Sequence, residues 1–392
     1  MKNIALIFGG KSAEHEVSVI TAKQIYNGYT KEEFNILPIF LDKENQFFLV
    51  KDFTDLSEFA KSNLNSKIFT KVKFEIGSNK LYKSANRKEI CVIDACINAC
   101  HGGIGENGNL VALFEMCNIP ISSGDTMALA VGFDKVASKL ICKASDIDVL
   151  DCIWFYKEEW ENAPTKILND LSKQKYPLIV KPARQGSSIG VTVAHNAREL
   201  ISAVKLAFEF DNKVLIEKSL QNYKEFNCSA IGFAGGQIET SKVDEPQKIH
   251  EILSFEDKYV NGGKSSDKNN KLDSCSCKFN NEKNLGIKGS LANAKREFTK
   301  DLKLETKIKA ITEKVMRIHN LSGVIRVDYL FDIKKKKLYF NEVNTVPGSL
   351  SFYFWAKENL DINALVEKLV SIAQTCFMKK FELKNEYITK LL

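Results

Sequence analysis

The sequence predicts an α/β protein with an open αβ domain at its N-terminus and a change of pattern near Val149, where a second domain begins. Three observations carry this. Asn3 to Phe8 is a short apolar run closed by Gly9 and Gly10, and His15 to Tyr29 follows with a helical apolar rhythm, a strand–turn–helix unit. Tyr176 to Val193, YPLIVKPARQGSSIGVTV, reads as two strands joined by a Gly/Ser loop. Val324 to Phe331 and Lys337 to Val343, rich in β-branched and aromatic residues, form a hairpin around the charged turn Asp332 to Lys336.

In chain order, Phe34 to Leu41 is the next strand, followed by a polar, Lys-rich and irregular region to Arg87. Cys91 to Cys100 is a further strand ending in HGGIGENG, and Leu110 to Cys117 a helix. That places a tight glycine loop at the strand end where open α/β sheets bind ligands. Ala128 to Ala144 is helical and carries Asp134, Lys135 and Lys139; Val149 to Phe155 is a connecting segment. Ala197 to Phe210 is a helix, Val214 to Glu217 a strand, and Phe226 to Phe233 and Gln237 to Lys242 continue the sheet. Val260 to Lys288 has no apolar periodicity and reads as a lid or disordered loop. The amphipathic helix Phe298 to Asn320 leads into the hairpin, and Ile362 to Phe377 is the closing helix.

Composition bounds the function. A chain of 392 residues with 44% hydrophobic and 27% charged residues is that of a soluble globular protein of two or three domains. No apolar run approaches the roughly 18 residues of a membrane span, and the opening KNIALIFGG is too short for a signal peptide, so a cytoplasmic protein is expected. The ten cysteines, of which Cys275 and Cys277 form a lone CxC pair, are expected to be reduced thiols. A net charge of +7 without any nucleic-acid motif reads as solvated lysines plus a few phosphate-binding ones.

The chemistry concentrates in the C-terminal hairpin. Glu342 and Asn344 are two residues apart and leave one face of an extended strand, where Asp328 of the partner strand meets them. Carboxylates gathered on a sheet face repel unless a cation sits between them, and all-oxygen donors suit Mg²⁺ or Mn²⁺ rather than zinc. Arg326 points to the same face, so a metal and a guanidinium stand ready for charge developing on phosphate and carbonyl oxygens. The plainer alternative is an exposed hairpin with solvated acids. Upstream, Lys181 ends a strand before Gly186, Ser187, Ser188 and Gly190, whose N–H and hydroxyl groups can wrap phosphates, although the order is not that of a Walker A loop. A flexible hairpin tip is the alternative there. The strand ending at Glu217 can pair with an adenine edge, with Glu225 near for ribose hydroxyls. Glu14 stands at a helix entrance and reads equally as a cap, and His101 equally as a structural or a binding residue.

Taken together, GGKSAEHEVS, HGGIGENG, DKVASK, KPARQGSSIG, Glu217-Lys218, FEDKY, RVD and FNEVNTVPG resemble, in order and spacing, the D-alanine:D-alanine ligases of the ATP-grasp superfamily, from Ile4 to about Gly348. The resemblance implies an ATP-grasp fold: an N-terminal αβ domain over 1–123, a central subdomain with phosphate loop and adenine side over 124–222, and a C-terminal subdomain with lid, metal site and closing helix over 223–392. It implies ligation of two D-alanines through an acyl phosphate for peptidoglycan precursor synthesis, with ATP and two Mg²⁺ (or Mn²⁺) ions, and commonly a homodimer. By position, Lys135 and Lys181 would bind ATP phosphates; Glu217, Lys218 and Leu220 would line the adenine pocket, and Glu225 would bind ribose. Asp328, Glu342 and Asn344 would hold the metals, and Arg326 with the backbone of Gly348 would stabilise the oxyanion. Glu14, with Ser18 near it, would bind the first ammonium, and Ser187, Lys258 and Tyr259 would close over the substrates.

Three departures stand out. Asn107 replaces the usual Asp, the lid is longer and more polar, and in PGSLSFYFW Tyr353 stands where a serine commonly binds the carboxylate of the second substrate. Ser349 or Ser351 could substitute. A ligase with another acceptor (D-serine, D-lactate or another amine) and a non-catalytic nucleotide-binding homologue are the alternatives.

Overall fold

The computed structural model describes residues 1–61, 64, 67–246, 297–355 and 360–383. Three sheets organise it. The first has seven strands, β1 (Lys2–Gly9), β2 (Phe34–Leu41), β3 (Phe47–Val50), β4 (Phe69–Glu75), β5 (Ser78–Lys83), β6 (Glu89–Val92) and β7 (Ala95–Asn98), in the order β6-β5-β4-β3-β2-β1-β7. β1 pairs in parallel with β2 and β7; the others are antiparallel. Alternate residues of β1 serve two cores: Ile4, Leu6 and Phe8 pack on one face, Ala5 and Ile7 on the other. A strand covered on both sides reads as a continuous apolar run, which is why β1 is plain in the sequence.

Two sequence readings are corrected here. The polar region to Arg87 is not irregular; it supplies β3, β4 and β5. These strands are short, and their apolar residues are divided between faces, Phe69 in one core and Val72 in the other, with lysines between. The span Cys91 to Cys100 is not one strand. It breaks at Ile93 and Asp94 into β6 and β7, the two edges of the sheet, so the sheet curls until two residues join its edges. The break is fixed at Asn3, whose N–H donates to the Asp94 carboxylate at 2.7 Å.

The second sheet contains β8 (Cys152–Tyr156), β9 (Leu178–Pro182), β10 (Thr192–Ala194) and β11 (Lys213–Lys218), antiparallel in the order β10-β9-β11-β8, with helix Ala197–Ala207 on one face. The expected connector at Val149 to Phe155 is thus partly an edge strand. The third, also antiparallel, runs β13-β12-β14-β15, from β12 (Tyr223–Phe233), β13 (Ile238–Thr240), β14 (Ser322–Asp332) and β15 (Lys337–Asn344). Helix Leu302–Ile318 packs on it, and the Thr312 hydroxyl meets the Tyr329 hydroxyl at 2.8 Å. The closing helix Ile362–Phe381 packs its Leu365, Val366 and Leu369 into the core that holds Ile4 and Phe8.

The helix expected over Ala128 to Ala144 is two, Thr126–Phe133 and Lys135–Ala144, because Asp134 leaves helical geometry and caps the second. Its carboxylate accepts from the N–H groups of Val136 and Ala137 at 2.9 and 3.1 Å. The break aims Lys135 and Lys139, one turn apart, at the space between the second and third sheets. Short helices Lys157–Asn162, Pro164–Ser172 and Phe352–Trp355 were not foreseen. All eight described cysteines are free thiols, and among the described residues no helix is long and apolar enough to cross a membrane.

The first and third sheets meet at Gly323. Its φ is +85°, and a Cβ there would lie 2.1 Å from the Ser122 carbonyl oxygen. Gly323→Ala should therefore destabilise the fold by about 2 kcal/mol or more, combining overpacking with a left-handed conformation. Chemical denaturation of the purified variant checks this; an unchanged midpoint would mean that the backbone yields freely there.

Candidate active site

β14 is the central strand of the site. In register, Asp328 lies opposite Glu342 of β15 and Asn227 of β12, and Arg326 lies opposite Asn344. Period-two geometry puts all five on one face. The Arg326 guanidinium grips Asp328 through two bonds, 2.7 and 2.8 Å, and the Asn344 amide donates to the same carboxylate at 3.2 Å. Glu342 is met by Lys135 at 3.1 Å. The four residues picked from the hairpin do converge, and each acid carries a cation.

A bulge between Asp328 and Tyr329 shifts the register, so Tyr329 faces Phe340 and Asn341 is the extra residue. The Asn341 side chain thereby reaches the site as well, where its carbonyl oxygen accepts from Lys181 at 3.1 Å. No pattern in the sequence announces the bulge.

The second sheet brings the lysines. Lys181 of β9 is buried and bonded to the Glu217 carboxylate, and Lys139 faces the other oxygen of Glu217 at 2.8 Å. Burial alone would push Lys181 down, yet the charge and hydrogen bond of Glu217 hold its ammonium above the ordinary lysine value. Burial opposes ionisation of Glu217 too, but Lys139 and Lys181 outweigh it and lower its pKa to about 2. The carboxylate expected at an adenine pocket is thus turned inward between two lysines. Lys218 ends β11 exposed, Leu220 follows half-buried, and the Ser219 N–H is used by the Pro177 carbonyl at 3.0 Å. Lys139, which sequence reasoning did not select, could have been found from its i,i+4 spacing with Lys135.

A cleft between the two sheets is lined by Lys135, Lys181 and Ser188 on one side and by Glu225, Asp328 and Glu342 on the other. At its mouth the loop after β9 turns back, with Ser187 and Ser188 at φ of 52° and 61°. The Ser187 hydroxyl donates to Glu14, and Gly186 approaches so closely that a Cβ would lie 2.5 Å from the same carboxylate. Glu14 occupies the N-cap position of helix His15–Gly28, but its side chain makes no capping hydrogen bond there. The Ser18 hydroxyl is engaged by the Gly9 N–H and the Ala99 carbonyl.

His101 proves structural. Its Nδ1–H donates to the Val346 carbonyl at 2.7 Å, leaving Nε2 to accept from the Thr21 hydroxyl at 2.8 Å. Burial, with the Arg326 charge adding, pushes its pKa down to about 4. Glu106 of the same loop accepts from Gly102 N–H, the Thr345 hydroxyl and Val346 N–H, and burial followed by the Glu14 charge pushes it up to about 7. Gly348 begins a 3₁₀ turn in which Ser349, Leu350 and Ser351 are all left-handed. Tyr353 is 7% exposed and packs between Phe352 and Phe354. Lys258, Tyr259, Cys275, Cys277 and the expected lid lie outside the described residues.

Two antiparallel sheets closing on a lysine-lined cleft that ends at an acid cluster define the ATP-grasp class. The family described as D-ala D-ala ligase N-terminus matches residues 3–123, and that described as D-ala D-ala ligase C-terminus matches 141–289 and 279–371. A D-alanine--D-alanine ligase of Thermosipho melanesiensis is 34% identical over 383 residues, 97% of this chain and 96% of its own. The solved D-alanine-D-alanine ligase of Coxiella burnetii superposes with a TM-score of 0.74 at 21% identity, covering 97% of this chain and 96% of its own. The VanG D-Ala:D-Ser ligase of Enterococcus faecalis does so with a TM-score of 0.72 at 24% identity, covering 95% and 99%. The chain belongs to the D-alanine–D-alanine ligase family.

Replacing Glu217 by Gln leaves two buried ammonium groups without a counter-charge and should cost about 3–5 kcal/mol. Because the folded pKa lies below the unfolded 4.5, the contribution of Glu217 is present above pH 4.5 and is lost as pH falls toward 2. Denaturation midpoints of the two proteins measured from pH 7 to pH 3 should converge on the acid side; a gap independent of pH would exclude this origin.

Proposed function

We propose that the protein joins two D-alanines at the expense of ATP, through an acyl phosphate. The convergence of Asp328, Glu342 and Asn344 with Arg326, Lys135 and Lys181 at one end of the cleft carries the reading. Lysines held over acids in a closed cleft are ready to exchange those acids for phosphate oxygens. We assign Lys135 and Lys181 to the phosphates, Glu225 to the ribose, and Glu217, Lys218 and Leu220 to the adenine side, with the Glu217 carboxylate acting through the lysines it orients.

Asp328, Glu342 and Asn344 fit a hard divalent cation. Two carboxylates and an amide are oxygen donors gathered on one sheet face, and such a set leaves coordination positions for phosphate and water, as Mg²⁺ takes them. When bound, two Mg²⁺ ions would neutralise charge on the transferring phosphoryl group. Arg326 would then leave Asp328 for the carbonyl oxygen under attack.

On this reading Glu14, supported by Ser187, receives the ammonium of the first D-alanine, whose carboxylate attacks the γ-phosphorus and displaces ADP to give the acyl phosphate. The amine of the second D-alanine attacks the resulting acyl carbonyl, the oxyanion is held by Arg326 and the Gly348 N–H, and phosphate departs as the amide forms. Lys258 and Tyr259, outside the described residues, are assigned to ATP and substrate, in a cytoplasmic and dimeric enzyme whose product serves peptidoglycan synthesis. The second reading, a ligase with a different acceptor, rests on the sequence departure at PGSLSFYFW, where Tyr353 stands in place of a serine.

Arg326→Ala should bind ATP almost normally yet ligate about 100-fold more slowly, as expected of a group acting on the transition state. Calorimetry with ATP and steady-state phosphate release check the two halves, and unchanged turnover removes Arg326 from its role. Offered D-alanine, D-serine and D-lactate as acceptors, the enzyme should form D-alanyl-D-alanine fastest; preferential mixed product would favour the other acceptor.

A further inference from the structure

The turn that carries Gly348 is improbable by itself. Ser349, Leu350 and Ser351 have φ of 53°, 45° and 55°, and left-handed backbone at residues other than glycine costs of order 1–3 kcal/mol each. Such a turn persists only where its surroundings fix it, and here they do so from the N-terminal domain. The Ser349 N–H donates to the Thr21 hydroxyl oxygen at 3.0 Å. The Thr21 hydroxyl donates to His101 Nε2 at 2.8 Å, and His101 Nδ1–H donates to the Val346 carbonyl at 2.7 Å. This relay leaves the turn at Ser349 and returns to it at Val346, so it spans Pro347 and Gly348. Thr21 is 1% exposed and His101 3% exposed, so water cannot replace either bond.

We infer that Thr21 is a positioning residue for the reaction: through Ser349 and His101 it sets the direction of the Gly348 N–H. The inference rests on the proposed oxyanion role of that N–H. Only a hydroxyl serves at position 21, since the group must accept from an amide and donate to an imidazole at once. Burial keeps His101 neutral, which preserves the acceptor at Nε2. The same helix begins immediately after Glu14, so one rigid element aligns the first-substrate acid with the oxyanion turn.

The two chemical steps separate this role from simple packing. Attack of the first carboxylate on the γ-phosphorus needs no oxyanion donor; attack of the amine on the acyl carbonyl does. Positional isotope exchange of the β,γ-bridging oxygen of ATP, with one D-alanine bound, reports the first step, and dipeptide formation reports both. Thr21→Val, nearly isosteric, should lower dipeptide formation about 10-fold or more while exchange and the KM for ATP stay within twofold of the parent. Thr21→Ser should restore dipeptide formation. Thr21→Ala, which adds no bulk, carries the same comparison if the valine variant does not fold. Equal loss in both steps, no loss in either, or failure of serine to restore would overturn the inference. Arg326→Ala assayed alongside keeps the two ideas apart: if it loses ligation while Thr21→Val does not, the oxyanion site stands and Thr21 has no part in it; if neither loses ligation, the oxyanion site itself is misplaced.

Discussion

Glu217 is a carboxylate with almost no access to water, and ionising it in that position costs several kcal/mol unless opposite charge is supplied at contact. Lys181 and Lys139 supply it from two different elements, β9 and the helix that starts at Lys135. That triad fixes how the helix sits on the second sheet. It also sets the height of Lys181 in the cleft, where Asn341 of the third sheet is its other partner. The link from Glu217 through Lys181 to Asn341 joins the second and third sheets at the cleft.

The same logic of charges lent and withdrawn runs along the third sheet. Arg326 neutralises Asp328, and Lys135 neutralises Glu342. Both cations sit on long side chains that can reach more than one partner. On the proposed reading, Asp328 and Glu342 would take divalent cations carried by a polyphosphate as partners, and Arg326 and Lys135 would turn to substrate oxygens. The N-terminal domain contributes direction rather than charge alone: Glu14 meets Ser187 of the loop over the cleft, while Glu106, His101 and Thr21 hold the segment after Asn344.

Much of this was legible in the sequence, and the exceptions have physical causes. The hairpin at Asp328 and Glu342 could be read because β-branched residues and a period of two specify both strand and face. Lys181, Glu14 and Ser187 came from the family resemblance and from glycine-rich spacing; Lys181 lines the cleft, and Glu14 and Ser187 meet each other beside it. β3 to β5 were hidden because each is short and divides its few apolar residues between two cores. The break at Asp134 was hidden because an aspartate reads the same in a surface turn of a helix and at its N-cap. Asn341 enters the site through a bulge, which is a property of pairing and not of either strand. Tyr353, noticed as a departure, turns out to lie among aromatic side chains on a four-residue helix too short to show any periodicity. Thr21 and His101 act through a relay that closes only in three dimensions.

The most direct measurement uses D-alanine labelled with ¹⁸O in both carboxylate oxygens, incubated with the enzyme and Mg-ATP. Formation of D-alanyl-D-alanine with one ¹⁸O transferred to each phosphate released is the predicted result, since the attacking carboxylate oxygen leaves with the phosphoryl group. Phosphate without label, or phosphate release with no dipeptide, would contradict the acyl-phosphate route and the assignment of the cleft to ligation.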